Sequence, residues 1–261
     1  MIKKGLSPKE LININDEFDA EKAKEDIIKK VNKFKELIKW SDEQLEEYRK
    51  LYDEFIKINK KRKNDEETQK QKGDALEKLV NFIFNNSFFL EVHPNKRNST
   101  NEIDQFITVS DYGMQAFHEF NFNRALLGLD ENHFICECKN YKGKIPATWI
   151  GKFNTLLNTC GETRLGIVFS YHGLTGKENN WYDAHGLTKI VYRISREDWR
   201  KFILDFNKDD FEKLLDRKFN IFDIIKAKKK ALISGVDSYK FLDENHKGSK
   251  KMREIYDEIV L

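Results

Sequence analysis

The run Phe134-Ile135-Cys136-Glu137-Cys138-Lys139 begins apolar and ends by interleaving two charges with two thiols. It predicts a strand. Side chains alternate along a strand, so Ile135, Glu137 and Lys139 share one face while Phe134, Cys136 and Cys138 share the other. A carboxylate and an ammonium then emerge side by side at the end of an otherwise apolar strand, a costly position unless the charges are used or paired. This is the one Glu-x-Lys triplet of the chain, and it falls where charge is scarce.

Charge divides the 261 residues into three regions. Residues 1–72 hold 19 Lys/Arg and 17 Asp/Glu, residues 73–195 hold 12 and 13, and residues 196–261 hold 16 and 14. The middle is expected to be a packed α/β domain, flanked by a charged helical arm (1–72) and a C-terminal helical segment (196–261). Outward from the central strand, periodicity predicts a helix over 73–84, strands over 102–109 and 165–170, a helix over 147–158 and a strand over 189–194. Gly128, Gly143, Gly161 and Gly173 fall between them. Residues 111–130 are expected to be an inserted hairpin or loop. Helix, strands, helix, strand is the order of an α/β layer with helices on both faces.

In the arm, Ile27, Val31, Phe34 and Leu37 recur at helical spacing, as do Leu45, Tyr48, Tyr52, Phe55 and Ile58. Ser41-Asp42-Glu43-Gln44 between them predicts a capping box and hence a helical hairpin. Residues 60–72 are nearly devoid of apolar side chains and are expected to form a frayed helix end or linker. At the other end, Ser195 is placed to cap a helix through residue 206, another begins near Asp209, and a third spans 220–234 and stops at Gly235.

A second carboxylate, Asp104 in Glu102-Ile103-Asp104-Gln105, lies at the start of a predicted strand 33 residues before Glu137. Adjacent strands would bring the two together as hard oxygen ligands suited to Mg²⁺. The plain alternatives are a strand-end ion pair and a turn cap. Glu77 precedes Val80 and Phe84 by three and seven residues and so lies on the edge of its helix's buried face. From Cys138 to Gly161 there are four lysines, Lys139, Lys142, Lys144 and Lys152, and no acid. Such a stretch suits a phosphate-binding rim, with Tyr141 and Trp149 available to stack or wedge. Ordinary surface lysines and a core Trp149 are the competing reading. Lys96 and Arg97 are candidates for the opposite wall.

Gly73-x-x-x-Glu77 on a helix, Glu102-Ile103-Asp104 opening a strand and Glu137-Cys138-Lys139-Asn140-Tyr141 ending the next resemble the PD-(D/E)xK nucleases, closest to their restriction-type, Mrr-like branch. The resemblance covers about residues 73–195, including Gly166-Ile167-Val168-Phe169-Ser170 and the loop Gly173-Leu174-Thr175-Gly176. Ile103 stands where the motif has proline, and the span from Asp104 to Glu137 is long. The resemblance implies a restriction-endonuclease-like core, a mixed central sheet flanked by helices, that hydrolyses DNA with Mg²⁺ (or Mn²⁺). Asp104, Glu137 and the backbone carbonyl of Cys138 would hold the metal. Lys139 would orient or deprotonate the attacking water, and Glu77 would position Lys139 or a second metal. It implies 5′-phosphate and 3′-hydroxyl products and a role in prokaryotic defence against foreign DNA. Because duplex cleavage needs two cuts, a homodimer, or a partner protein docked on the helical extensions, is expected. A catalytically silent scaffold subunit of a defence complex, and a nuclease acting on RNA or branched DNA, are the alternatives.

The rest of the chain narrows the field. Net charge is only +3, from 47 basic and 44 acidic residues, which argues for a local polyanion site and modest intrinsic DNA affinity. Three cysteines make no disulfide framework and fit a cytoplasmic protein. Cys136, Cys138, His133 and Cys160 raise a zinc reading, which strand alternation disfavours by turning both strand thiols away from Glu137. No Gly-x-x-x-x-Gly-Lys-Ser/Thr loop is present. The richest apolar run, residues 79–84, stops at Asn85-Asn86, far short of the roughly 20 residues of a spanning helix, so no membrane segment is expected.

Overall fold

The computed structural model describes residues 8–61, 65–97, 102–160, 163–177 and 182–243, with side chains from residue 22 onward except those of Arg97, Glu102 and Asp243. The chain forms two compact units, Met1–Lys39 and Trp40–Leu261. The first holds α1 (Pro8–Leu37), a highly charged helix that places Lys35 in its last turn, where a cation complements the helix dipole.

The second unit opens with α2 (Asp42–Asn59). Ser41 caps it: the hydroxyl accepts from the Gln44 amide at 3.2 Å, and the Gln44 side chain accepts from the Ser41 amide at 2.9 Å. There follow α3 (Glu66–Asn85), β1 (Leu90–Arg97), β2 (Glu102–Val109), α4 (Asp111–Glu119), β3 (His133–Cys138), α5 (Ala147–Thr159), β4 (Leu165–Phe169), α6 (Asp183–Ile194), β5 (Phe202–Phe206), α7 (Lys208–Lys213), α8 (Ile221–Ser234) and α9 (Ser238–Asp243). The strands build one mixed sheet in the order β1-β2-β3-β4-β5. The first three run antiparallel, and β3, β4 and β5 run parallel, joined by crossovers through α5 and α6.

One face of the sheet presents Ile135, Val168 and Ile203 to Ile150, Phe153 and Leu157 of α5 and to Ala184 and Val191 of α6. The other is a run of aromatic rings. Phe84 of α3 packs edge-on against Phe134 and Phe169, and Phe169 and Phe206 meet Phe211 of α7. Each such ring contributes about 1.5–3 kcal/mol on full burial. Charges carried by β3 are therefore held on a well-anchored strand.

Several elements differ from expectation. Residues 189–194 are helix: burial of Ala184, Thr188 and Val191 follows a helical repeat and leaves Ile190 and Ile194 exposed. Residues 202–206 are not helix but the fifth strand, all five residues buried. A short apolar run enclosed on both faces carries no periodicity to separate the two states. Residues 66–72 are regular helix rather than linker, because Asp65 accepts from the Thr68 amide and starts α3 there. The expected loop over 111–130 contains α4, capped by Ser110, and β1 is an additional strand. Among the described residues, no helix is long and apolar enough to cross a membrane.

Candidate active site

β2 and β3 pair with Gln105 opposite Cys136 and Phe106 opposite Ile135. One step further along this register sets Asp104 opposite Glu137 on the face covered by α5. Glu137 lies at the C-terminal end of β3, beside Val168 of β4. Lys139, two residues on, turns its ammonium back between the carboxylates: Nζ is 2.6 Å from Glu137 Oε1 and 3.4 Å from Asp104 Oδ2. The Cys138 amide donates to the same Asp104 oxygen at 2.8 Å, fixing the carboxylate against the end of β3. Asn140 continues the anchoring by donating from Nδ2 to the Lys72 carbonyl of α3 at 2.7 Å.

The wall comes from α5. Trp149, Lys152, Phe153 and Leu156 fall at helical spacing on one stripe and, with Asp104, Glu137 and Lys139, line a pocket of about 280 Å³. The Lys139 and Lys152 ammoniums lie 5.1 and 5.0 Å from the centre of the Trp149 ring. The Tyr141 ring stands 5.9 Å from it.

Electrostatics follow the geometry. Burial alone would lower the Lys139 pKa, but Glu137 and Asp104 outweigh it and hold the ammonium above the ordinary lysine value. Burial pushes the Tyr141 phenol up, against the opposing pull of Lys139. Burial, and after it the charge of Asp104, raises the thiols of Cys136 and Cys138 well above their usual range. Neither is poised as a thiolate nucleophile or metal ligand.

The other predicted site residues are dispersed. Glu77 sits on α3, the helix that packs on the opposite face, where its charge reaches the Cys138 thiol. It does not line the pocket. Lys142 and Lys144 are exposed on the loop after β3. The charge of Lys144 reaches His172 and His185, away from the carboxylate pair. Lys96 is exposed on β1 beside Ile103. Arg97 is the last residue of that strand, and its side chain lies outside the described residues.

The donor set suits a hard divalent cation. Mg²⁺ is commonly held by one or two carboxylates and keeps several waters, and two facing carboxylates already bridged by a cationic group are such a set. Among the described residues, no group of three or more His, Cys, Asp or Glu side chains is close enough to hold a metal.

A second charged cluster escaped sequence reading. Lys228 of α8 lies 3.4 Å from Asp205 of β5 and 3.0 Å from Asp210 of α7, all three deeply buried. The signal was one aspartate inside the run Phe202-Ile203-Leu204-Asp205-Phe206. Comparison with family models, with curated proteins and with solved structures finds no match to this chain.

Proposed function

We propose that the chain is a Mg²⁺-dependent endonuclease of the PD-(D/E)xK, restriction-type kind, hydrolysing DNA phosphodiester bonds in prokaryotic defence. One observation carries the reading: Asp104 and Glu137 face each other across adjacent strand ends, with Lys139 Nζ within 2.6 and 3.4 Å of them, in an open pocket. The antiparallel-then-parallel sheet with helices on both faces is consistent with a restriction-endonuclease-like core.

Asp104 and Glu137 would hold Mg²⁺, with the Cys138 carbonyl as the third protein ligand. The bound ion supplies Lewis acidity and lowers the pKa of a coordinated water. Lys139 orients the attacking water and stabilises negative charge as the phosphorane-like transition state forms. Lys152 and Trp149 supply a cationic, aromatic wall for the scissile strand. With the protein near electroneutral, a homodimer or a partner protein supplies the remaining DNA affinity and the second cut.

The test is incubation of the purified chain with Mg²⁺ or Mn²⁺ and supercoiled, linear and single-stranded DNA, branched DNA and RNA. Nicked and linear plasmid with 5′-phosphate ends is the expected product. If Glu137→Ala cleaves as fast as the parent chain, this pocket is not the active site. Faster turnover of RNA or branched DNA would move the substrate assignment while keeping the chemistry.

A further inference from the structure

We infer that Trp149 is a positioning residue that gives the Lys139 ammonium a second seat, so that the pocket exchanges its own lysine for a divalent cation between Asp104 and Glu137. The inference rests on the metal site proposed above and adds how that site is loaded.

The ammonium of Lys139 contacts the two carboxylates through which a divalent ion would bind, at 2.6 and 3.4 Å. Two cations cannot share that space: their repulsion at contact distance in a half-buried site is large compared with thermal energy. Metal entry therefore requires the lysine to leave. Its four-carbon stem can swing through rotamer changes while the backbone stays pinned, because the Lys139 amide donates to the Phe169 carbonyl at 2.8 Å.

Among the described residues, the pocket wall offers a seat within reach. The Trp149 ring centre is 5.1 Å from the same Nζ, inside the range at which an indole face attracts a cation. The indole is itself held in place, since its ring packs against that of Tyr141 at 5.9 Å and its backbone belongs to α5. Lys152 shares the ring at 5.0 Å, and this second cation makes the seat weaker than the carboxylates. Lys139 thus rests on the acids until a stronger cation displaces it.

The experiment measures Mn²⁺ binding to the full chain by the loss of the free-ion electron paramagnetic signal, with folding checked by circular dichroism. Lys139→Met, which keeps the stem and removes the charge, is expected to bind Mn²⁺ about tenfold tighter than the parent, because no internal cation has to be displaced. Trp149→Leu is expected to bind roughly three- to tenfold more weakly, the worth of a partly solvated cation–π contact, while Trp149→Phe stays within about twofold of the parent. In the Lys139→Met background, Trp149→Leu should have no further effect, since no displaced Lys139 ammonium remains to use the seat, and Lys152 occupies the ring whether or not the metal is bound. A purely structural role for Trp149 would weaken binding equally in both backgrounds, and that result overturns the inference. So does a Lys139→Met chain that binds no more tightly than the parent. If Asp104→Asn abolishes Mn²⁺ binding and Lys139→Met leaves it unchanged, the metal site stands and the exchange falls. If neither parent nor Lys139→Met binds Mn²⁺, both fall.

Discussion

Glu137 has two tasks, pairing with Lys139 in the resting pocket and holding charge during the proposed reaction, and isosteric variants separate them. Glu137→Gln keeps the shape and the capacity to accept from Lys139 but loses the negative charge. It is expected to fold with a melting temperature close to the parent's and to cut supercoiled plasmid roughly 10²–10⁴-fold more slowly, the usual effect of removing one acid–base or charge-stabilising group. Lys139→Ala is expected to fall in the same range, measured as initial nicking rates at saturating Mg²⁺. Lys228 presents the opposite case, charge with no access to substrate. Its ammonium is shared by Asp205 and Asp210, both buried, and the two acids respond differently: burial raises the Asp205 pKa but is outweighed by Lys228, then His185 and the Asn207 side chain, which lower it, whereas burial raises that of Asp210. Lys228→Met leaves two carboxylates facing each other without a cation. Truncating one partner of a buried ion pair costs about 3–5 kcal/mol, so a urea titration should show the midpoint shifted to lower denaturant at an unchanged slope. An unshifted midpoint would mean that water, not Lys228, satisfies the acids.

The elements set how closely this chemistry can be packed, and β4 shows the tightest point. Gly166 lies under α5, and a Cβ built there would come within 2.6 Å of the Phe153 ring. Because Phe153 also lines the pocket, Gly166→Ala must push the ring outward and is expected to cost about 1–3 kcal/mol of stability, typical of overpacking a core. Thermal melts check the cost. How much was legible beforehand follows from the same packing. β3 could be read from six residues because its charges sit at one end of an apolar run, and α8 because Asn220 caps its start and left-handed Gly235 its end. The pairing of Asp104 with Glu137 depends on register, which alternation and strand order constrain. By contrast, Lys189-Ile190-Val191-Tyr192-Arg193-Ile194 has β-branched residues and alternating polarity, and only the packing of α6 over the sheet makes it helix. β5 fails to announce itself for the converse reason, being buried on both faces. Glu77 was legible as a half-buried helix residue, but which face of the sheet its helix covers is a tertiary fact with no local signature.

At the scale of the molecule, the response to acid is set by groups whose proton affinity differs between the folded and unfolded chain. His185 of α6 is mostly enclosed, and burial lowers its pKa despite the nearby Asp205. His172 is lowered as well, by burial first and then by Lys72 and Lys144. A histidine with a depressed folded pKa is neutral in the native state, while the unfolded chain binds a proton near about pH 6.5. The unfolded state therefore takes up more protons as pH falls. Stability is complete at neutral pH, begins to drop through the unfolded value, and goes on dropping until the folded pKa is passed. Asp205, with its lowered pKa, acts in the same direction at more acidic pH, losing its contribution as the folded pKa is crossed. Asp210 acts in the opposite direction, gaining relative stability once pH falls below its raised folded value. The Asp205 contribution is lost on the acid side and that of Asp210 has the opposite sign, which leaves the decline just below neutrality to the histidines. The melting temperature of the parent chain, followed from neutral pH downward, is expected to decline from about pH 6.5. His185→Gln, which retains a polar side chain but cannot take up a proton, should show a shallower decline over that interval, with the residual slope belonging to His172. If His185→Gln and the parent lose melting temperature in parallel, His185 binds protons equally in both states and its enclosure by α6 carries no energetic consequence.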